Sequence, residues 1–140
     1  MPRRYWLTKS EPAKYPWSRL VADRRTYWDG VRNHQARNYL QAMQKGDLVL
    51  FYHSNEGREV VGVASVVETA YPDPTTKDER WVVVDVEPVV PLERPVTLAE
   101  IKEDAKLEGI ALLRQSRLSV MPLEARHFRR ILSLGKTRLP

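Results

Sequence analysis

Three segments rich in valine and aromatic residues constrain the fold most, because the stretches between them leave no room for crossover helices. They are 48-LVLFYHS-54, 60-VVGVASVVETAY-71 and 81-WVVVDVEPVV-90. β-branched and aromatic side chains favour strands, and the intervening residues 55–58 and 72–80 carry turn-forming Gly, Pro, Asn and Asp. A parallel connection needs a dozen or more residues, so we expect these strands to pair antiparallel.

The stretch 33–46 shows the strongest helical periodicity of the chain. Its apolar residues recur at the spacing of one helix face and are Ala36, Tyr39, Leu40 and Met43. Asn33 is a suitable N-cap, and Gly46 is expected just beyond the C-terminus of the helix.

Shorter elements complete the predicted order. We predict strands at 5–8, ending at a 9–12 breaker, and at 117–121, and helices at 17–23, 97–104 and from Pro122 to Gly135. Residues 26–30 are expected to form a turn, Gly62 a bulge or bend, and a proline the end of the 81–90 strand. In the last helix, Phe128, Ile131 and Leu132 should face inward and the arginines outward. The predicted fold class is α+β, with residues 1–140 as a single domain: a small, mostly antiparallel β-barrel flanked by short helices.

Composition removes several classes of function. The chain has no cysteine, which excludes disulfides, thiolate metal sites and a cysteine nucleophile, and its three histidines are scattered. His34 and His127 are expected on the surface, whereas Trp6, Trp81 and Phe51 are expected in the core. No apolar run approaches the ~20 residues of a membrane helix, and no apolar signal core follows the basic start. We therefore expect a cytoplasmic chain with no metal site, no cofactor and no membrane partner.

Charge is distributed unevenly along the chain. Residues 1–47 carry a formal net charge of +6, residues 48–113 carry −7 and residues 114–140 carry +6. If the two basic ends meet in space, they form a positive face suited to nucleic acid. A dispersed, solvated surface is the equally open alternative.

Signatures of catalysis are missing from the chain. No G-x-S-x-G, phosphate-binding loop or dinucleotide motif is present, and nothing pairs Glu11, Asp29 or Asp47. His53 and Ser54 are adjacent on a predicted strand and point to opposite faces, so they do not form a base–nucleophile pair. Ser10 with His34 remains conceivable. We expect no catalytic residues.

Residues suited to holding a single unpaired base are present instead. Such a site needs an aromatic wall, amide or hydroxyl groups for the base edge, and basic residues for phosphates. Trp28 and Tyr52 are stacking candidates, and the polar candidates are Ser10, Asn33, Ser54 and Ser119. The phosphate-binding candidates are Arg37, Arg114, Arg126, Arg129 and Arg130. Simpler structural explanations remain open: Trp28 as core, Asn33 as a helix cap, Ser10 as a turn cap, and Arg117 paired with an acid.

Five long stretches resemble the EVE domain family, in the family's order. They are 5-YWLTKSEP-12, 28-WDGVRNHQARNYL-40, 46-GDLVLFYHS-54, 69-TAYPDPT-75 and 114-RQSRLSVMPL-123. The resemblance implies a PUA-like fold related to the YTH and SRA readers of modified bases. It also implies a base-binding pocket formed by Lys9, Ser10, Trp28, Val31, Arg32, Asn33, Tyr52, His53, Ser54, Arg117, Leu118 and Ser119.

One departure from the family pattern is the short connection 75-TTKDER-80, which is expected to alter the grip on nucleic acid. The leading hypothesis is non-enzymatic binding of a modified base, such as a modified cytosine, in DNA or RNA. A PUA-like RNA-binding domain indifferent to modification is the alternative, and a small enzyme acting on nucleotides or modified bases is a third. Any downstream activity is expected from a separate effector protein, and the oligomeric state is left open.

Overall fold

A computed structural model describes residues 3–140, and its strands form one sheet in the order β2-β5-β4-β3-β1-β6. The strands are β1 (Tyr5–Ser10), β2 (Thr26–Tyr27), β3 (Leu48–His53), β4 (Glu59–Pro72), β5 (Val82–Thr97) and β6 (Val120–Leu123). The helices are α1 (Trp17–Asp23), α2 (His34–Ala42), α3 (Leu98–Glu103), α4 (Ala111–Arg114) and α5 (Ala125–Leu134), with a 3-10 turn at Ala105–Leu107.

Pairing within the sheet is antiparallel except between β1 and β3, which run parallel. The connection between these two strands contains α1, β2 and α2, so it is long enough for a parallel crossover. The expected α+β class and the mostly antiparallel sheet are confirmed. Closure of the sheet into a barrel stays a prediction.

The core contains the aromatic side chains that the sequence placed there. Trp6, Phe51 and Trp81 are buried, and α5 turns Phe128, Ile131 and Leu132 inward. The expectation that His127 lies on the surface is wrong, because its side chain is only 1% exposed. Position 127 lies one turn before Ile131 on the buried face of α5, and that geometry outweighs the polarity of imidazole.

β4 and β5 pair along most of their length despite the three prolines of β5. The expectation that a proline ends the strand at residue 90 is wrong, since β5 continues through Pro88 and Pro91 to Thr97. The pairing register shifts between Val90 and Pro88, and again between Val96 and Pro91, the interval that contains Pro95. The three prolines therefore lie at irregularities of the ladder. Gly62 lies at one of these irregularities, as its bulge signal predicted.

Several predicted boundaries differ from the structure. The strand predicted at 117–121 begins only at Val120, and the predicted 26–30 turn opens with the short strand β2. α2 ends at Ala42, well before Gly46, because the carboxylate of Asp47 accepts the N–H of Gln44 and turns the chain. Pro122 does not open the last helix but lies in β6, an edge strand that tolerates a missing N–H. β1 continues through the predicted breaker to Ser10.

None of the helices in residues 3–140 is long and apolar enough to cross a bilayer. Met1 and Pro2, which belong to the expected single domain and to the basic start, lie outside the described residues.

Candidate functional site

A cavity of about 800 Å³ opens where β1 and β3 end and β6 begins. Eight of the predicted base-site residues line it: Lys9, Ser10, Trp28, Val31, Ser54, Arg117, Leu118 and Ser119. The other lining residues are Glu11, Lys14, Tyr15, Arg19, Asp23, Thr26, Tyr27, Asp29, Gly30 and Ser116. The volume falls within the range of small-molecule sites.

The parallel pairing of β1 with β3 brings these distant segments together. Ser10 lies opposite His53, and the N–H of Ser54 donates to the carbonyl of Ser10 over 2.9 Å. On the other side of β1, the N–H of Lys9 donates to the carbonyl of Ser119 over 2.9 Å. The ends of β1 and β3 and the start of β6 therefore share one rim of the sheet.

Aromatic rings form one wall of the cavity. Trp28 is half-buried and packs edge-on against Phe51, with ring centroids 5.4 Å apart and an interplanar angle of 88°. Its N–H donates to the carbonyl of Val84, which anchors the 28–31 loop to β5. Tyr27, also in the lining, is 43% exposed. Trp28 thus contributes to the core along one edge while also lining the cavity.

Hydroxyl groups occur around the cavity, and some of them already have partners. Ser10 Oγ donates to the carbonyl of Tyr15 over 2.6 Å, as expected for a turn cap. Tyr15 Oη donates to Asp23, and burial is the main cause that raises the pKa of the Tyr15 phenol. The neighbouring Ser54 and Ser119 are only partly buried, so their hydroxyls are accessible to a ligand.

Charges in the cavity nearly balance. Lys14 pairs with Glu11 and Arg19 with Asp23, each over 3.4 Å. The lining also includes Lys9, Arg117 and Asp29, none of which forms an ion pair with a described residue.

Lys9 and Arg117 differ in their surroundings. Lys9 Nζ donates to the carbonyl of Ser116 over 2.8 Å, and burial lowers the pKa of Lys9. Arg117 is exposed and has no carboxylate partner in residues 3–140, so it lacks the acidic partner that the sequence left open.

Four predicted base-site residues lie outside the cavity lining: Arg32, Asn33, Tyr52 and His53. Asn33 caps α2, its side chain accepting the N–H of Ala36 over 2.9 Å. Tyr52 is 3% exposed within the core, where burial raises the pKa of its phenol. Their base-binding roles stay predictions.

His53 has a structural partner. Its Nε2 accepts the backbone N–H of Trp17 over 3.0 Å, so it holds the start of α1. Burial lowers the pKa of the imidazole, which favours the neutral form that can accept this bond.

Arg32 holds the 28–32 loop, which contributes to the cavity wall, through contacts outside the cavity lining. Its guanidinium pairs with Asp73 over 3.0 Å, and the N–H of Gly30 also donates to that carboxylate. Asp73 is fully buried and accepts further bonds from Thr75. Burial alone would raise the pKa of Asp73, but hydrogen bonds from Thr75, Arg32 and Gly30 lower it. Asp73 thus ties the 28–32 loop to the short 72–80 connection.

The predicted phosphate-binding arginines lie outside this cavity's lining. Arg126 pairs with Glu124, and Arg130 with Asp104. Arg37 donates to Asn38 and to the carbonyl of Arg80, whereas Arg114 and Arg129 are exposed. The two basic ends meet where β1 pairs with β6, but two of these five arginines, Arg126 and Arg130, are already held in ion pairs.

Sequence reasoning missed several cavity residues, chiefly Tyr15, Arg19, Tyr27 and Asp29. Tyr27 and Asp29 flank Trp28 and could have been inferred from that neighbour. Arg19 and Tyr15 reach the cavity through the packing of α1, which no local pattern reveals.

Comparison with known proteins gives one family. A model of the EVE domain matches residues 4–134. Thymocyte nuclear protein 1 of Mus musculus is 37% identical over 167 residues, covering 95% of this chain and 74% of the mouse protein. The match is longer than the 140 residues of this chain, so the mouse protein carries insertions relative to it.

Solved structures agree. A protein from Agrobacterium tumefaciens superposes with a TM-score of 0.94 at 41% identity, covering 98% of this chain and 96% of that one. The human THYN1 protein in complex with 5-methylcytosine-containing DNA superposes with a TM-score of 0.88 at 34% identity. The match covers 96% of this chain and 99% of that one. A Zygosaccharomyces rouxii YTH domain in complex with N6-methyladenosine RNA shares the fold. It superposes with a TM-score of 0.60 at 17% identity, covering 98% of this chain and 90% of that one.

Proposed function

This chain belongs to the EVE domain family, and on that basis we propose that it binds a modified nucleobase of DNA or RNA without catalysing a reaction. The observation that carries the proposal is the cavity beside Trp28, which combines an aromatic wall, accessible hydroxyls and an arginine that pairs with no carboxylate among residues 3–140. The complex of human THYN1 with 5-methylcytosine-containing DNA, a structure of the same family, supports it.

The chemistry of the lining suits a methylated cytosine. A base stacked on Trp28 gains about 1–3 kcal/mol. Val31 and Leu118 supply apolar surface for a methyl group, and the Asp29 carboxylate can accept a hydrogen bond from the exocyclic amine. Arg117 is placed to pair with a flanking phosphate. These residues discriminate because a base of the wrong shape leaves a polar group without a partner.

The direct test compares matched oligonucleotides that differ only in one cytosine, methylated or not, in single-stranded and duplex form. We expect tighter binding of the methylated strand. Asp29→Asn should weaken binding of both strands alike, because the exocyclic amine whose hydrogen bond Asp29 would accept is present in both. Glu103→Gln, which also removes one exposed carboxylate but lies outside the cavity lining, is the matched control. Equal affinity for both strands would favour the alternative, an RNA-binding domain indifferent to modification.

The enzymatic alternative meets an obstacle at His53. The Nε2 lone pair of His53 is engaged by the N–H of Trp17, so the imidazole would have to break that bond to act as a base. Turnover of modified nucleosides that is lost in both His53→Ala and Ser54→Ala would overturn the non-enzymatic proposal.

Three further expectations remain proposals. We propose that residues 1–140 act as one domain, which limited proteolysis tests through the absence of a stable smaller fragment. We propose that a separate effector protein acts on what this chain binds. The cytoplasmic location stays a prediction that imaging of a tagged chain can check, since similar proteins are named nuclear.

A further inference from the structure

A second concave site lies at the C-terminal end of α5. Its volume is about 460 Å³, and it is lined by Arg129, Leu132, Ser133, Lys136, Thr137 and Arg138. Three of these six residues are cations and none carries a carboxylate. The site shares no lining residue with the cavity beside Trp28.

Ion pairing separates the cations of this region into two groups. On α5 itself, Arg126 is held by Glu124 and Arg130 by Asp104. Arg129, Lys136 and Arg138 are exposed, and none lies within 4.0 Å of a carboxylate in the part of the chain that the structure describes. Their charges are therefore concentrated on one side of the helix end without neutralisation.

Capping of α5 does not require these cations. The N–H groups of Gly135, Lys136 and Thr137 donate to carbonyls in the last turn of the helix. Basic side chains near a helix C-terminus often satisfy those carbonyls. Here the backbone satisfies the carbonyls of Ile131, Leu132 and Ser133, and Arg94 of β5 donates to that of Leu134.

The segment after α5 is also held in place. Thr137 Oγ1 accepts the N–H of Glu93 and donates to the carbonyl of Gly135, each over 2.8 Å. Lys136 adopts a left-handed conformation with φ of 53°. These bonds attach the segment bearing Lys136 and Arg138 to β5 and present it beside Arg129.

We infer that this second site binds phosphate groups of a nucleic-acid backbone without reading the bases. Three clustered cations with the Ser133 hydroxyl match the charge and the acceptor oxygens of phosphate. The lining offers no aromatic ring on which a base could stack. The inference goes beyond the proposed function, because it does not require a base in the cavity beside Trp28.

The test uses a short single strand of abasic phosphodiester and the triple variant Arg129→Gln/Lys136→Gln/Arg138→Gln. The control is Lys45→Gln/Lys102→Gln/Lys106→Gln, which removes the same net charge from exposed lysines outside both cavities. Affinity is measured between about 50 and 200 mM salt. We expect the slope of log K against log salt to become shallower by about 2 in the test variant, at ~0.7 per lost phosphate contact, and less in the control.

Amide NMR shifts in the unmodified protein provide a readout that does not depend on how the variants fold. Ser133 and Lys136 should shift when the abasic strand is added. If the nucleic-acid backbone is the ligand, inorganic phosphate at the same phosphate concentration should shift these two amides far less. Shifts of equal size would instead identify free phosphate as the ligand of this site. Equal slopes in both triple variants, or unmoved amides, would overturn the inference. An abasic strand presents no base, so this failure leaves the proposed base recognition untouched.

Discussion

At the scale of single residues, the proposed base recognition depends most on Trp28. Trp28→Ala removes the stacking surface and should weaken binding of a methylated strand by about 5- to 150-fold, the equivalent of ~1–3 kcal/mol. Trp28→Phe, which keeps a smaller ring, should lose less. Fluorescence anisotropy with a labelled strand measures both.

The contact of Trp28 with Phe51 makes thermal unfolding a necessary companion to that measurement. We expect Trp28→Ala to unfold cooperatively, because the ring is only partly buried. Loss of a cooperative transition would show that Trp28 serves the core and would withdraw the stacking role.

Asp73 is the residue that supports the cavity loop, and its titration should link stability to pH. Its pKa is lower in the folded chain than the ordinary value of 3.8, so the ionised carboxylate stabilises the fold above that value. That contribution is lost as the pH falls through the lowered pKa. Asp73→Asn should cost about 1–3 kcal/mol near neutral pH, because a buried charged acceptor is lost. The difference in unfolding free energy between Asp73→Asn and the unmodified protein should become smaller below pH 3.8, as measured by denaturant unfolding.

Asp78 gives the matched control on the same connection. Its salt bridge with Arg80 lowers the pKa of Asp78 to about 2, yet the Asp78 side chain is 33% exposed. Solvent screens such pairs, so Asp78→Asn should destabilise the fold less than Asp73→Asn. Equal losses of unfolding free energy in the two variants would mean that burial of Asp73 does not increase its contribution to stability.

At the scale of secondary-structure elements, Gly62 decides how closely α1 packs on the sheet. A Cβ at position 62 would lie 2.6 Å from three ring atoms of Trp17. Gly62→Ala should therefore displace α1 and cost about 1–3 kcal/mol of unfolding free energy. α1 carries Arg19 and Asp23 of the cavity wall, so binding of the methylated strand should fall with stability.

A double-mutant cycle isolates this steric cause. In a Trp17→Leu background the ring is gone, and the same Gly62→Ala change should cost markedly less. A cost that is identical in both backgrounds would point to the backbone of β4 rather than to the contact with α1.

Local patterns predicted elements well where the deciding interactions were local. The helix predicted over 97–104 is present as α3 and begins with a capping box of Thr97 and Glu100, and Asn33 caps α2 as expected. The continuation of β5 through Pro88 could not be read locally, because it depends on a register shift against β4. Burial of His127, by contrast, follows from its position four residues before Ile131, on the helix face that was predicted to point inward.

At the scale of the whole molecule, salt should separate the two kinds of ligand. Phosphate contacts release counterions, so affinity for a methylated strand should fall steeply as salt rises. Affinity for the free 5-methylated nucleoside, which has no phosphate, should change little. Isothermal titration at several salt concentrations measures both, and a flat response for the strand would remove backbone contacts from the proposal.

The cavity could be predicted only in part from the sequence. Motifs indicated Lys9, Ser10, Trp28 and Arg117, which share its lining. They could not show that ion pairs hold Arg126 and Arg130. The pair of Arg130 with Asp104 depends on tertiary packing, and the pair of Arg126 with the nearby Glu124 depends on which side-chain conformations the two residues adopt. The parallel pairing of β1 with β3 also could not be predicted from local patterns, since dozens of residues separate the two strands.

That parallel contact, flanked by β6, has a consequence for synthesis. The rim contains Lys9 from the early chain and Ser119 from the late chain, and the carbonyl of Ser119 holds the backbone of Lys9. A growing polypeptide therefore has no completed pocket until translation has passed Ser119. Until then, nucleic acid near the ribosome would meet only separate parts of the proposed recognition surface.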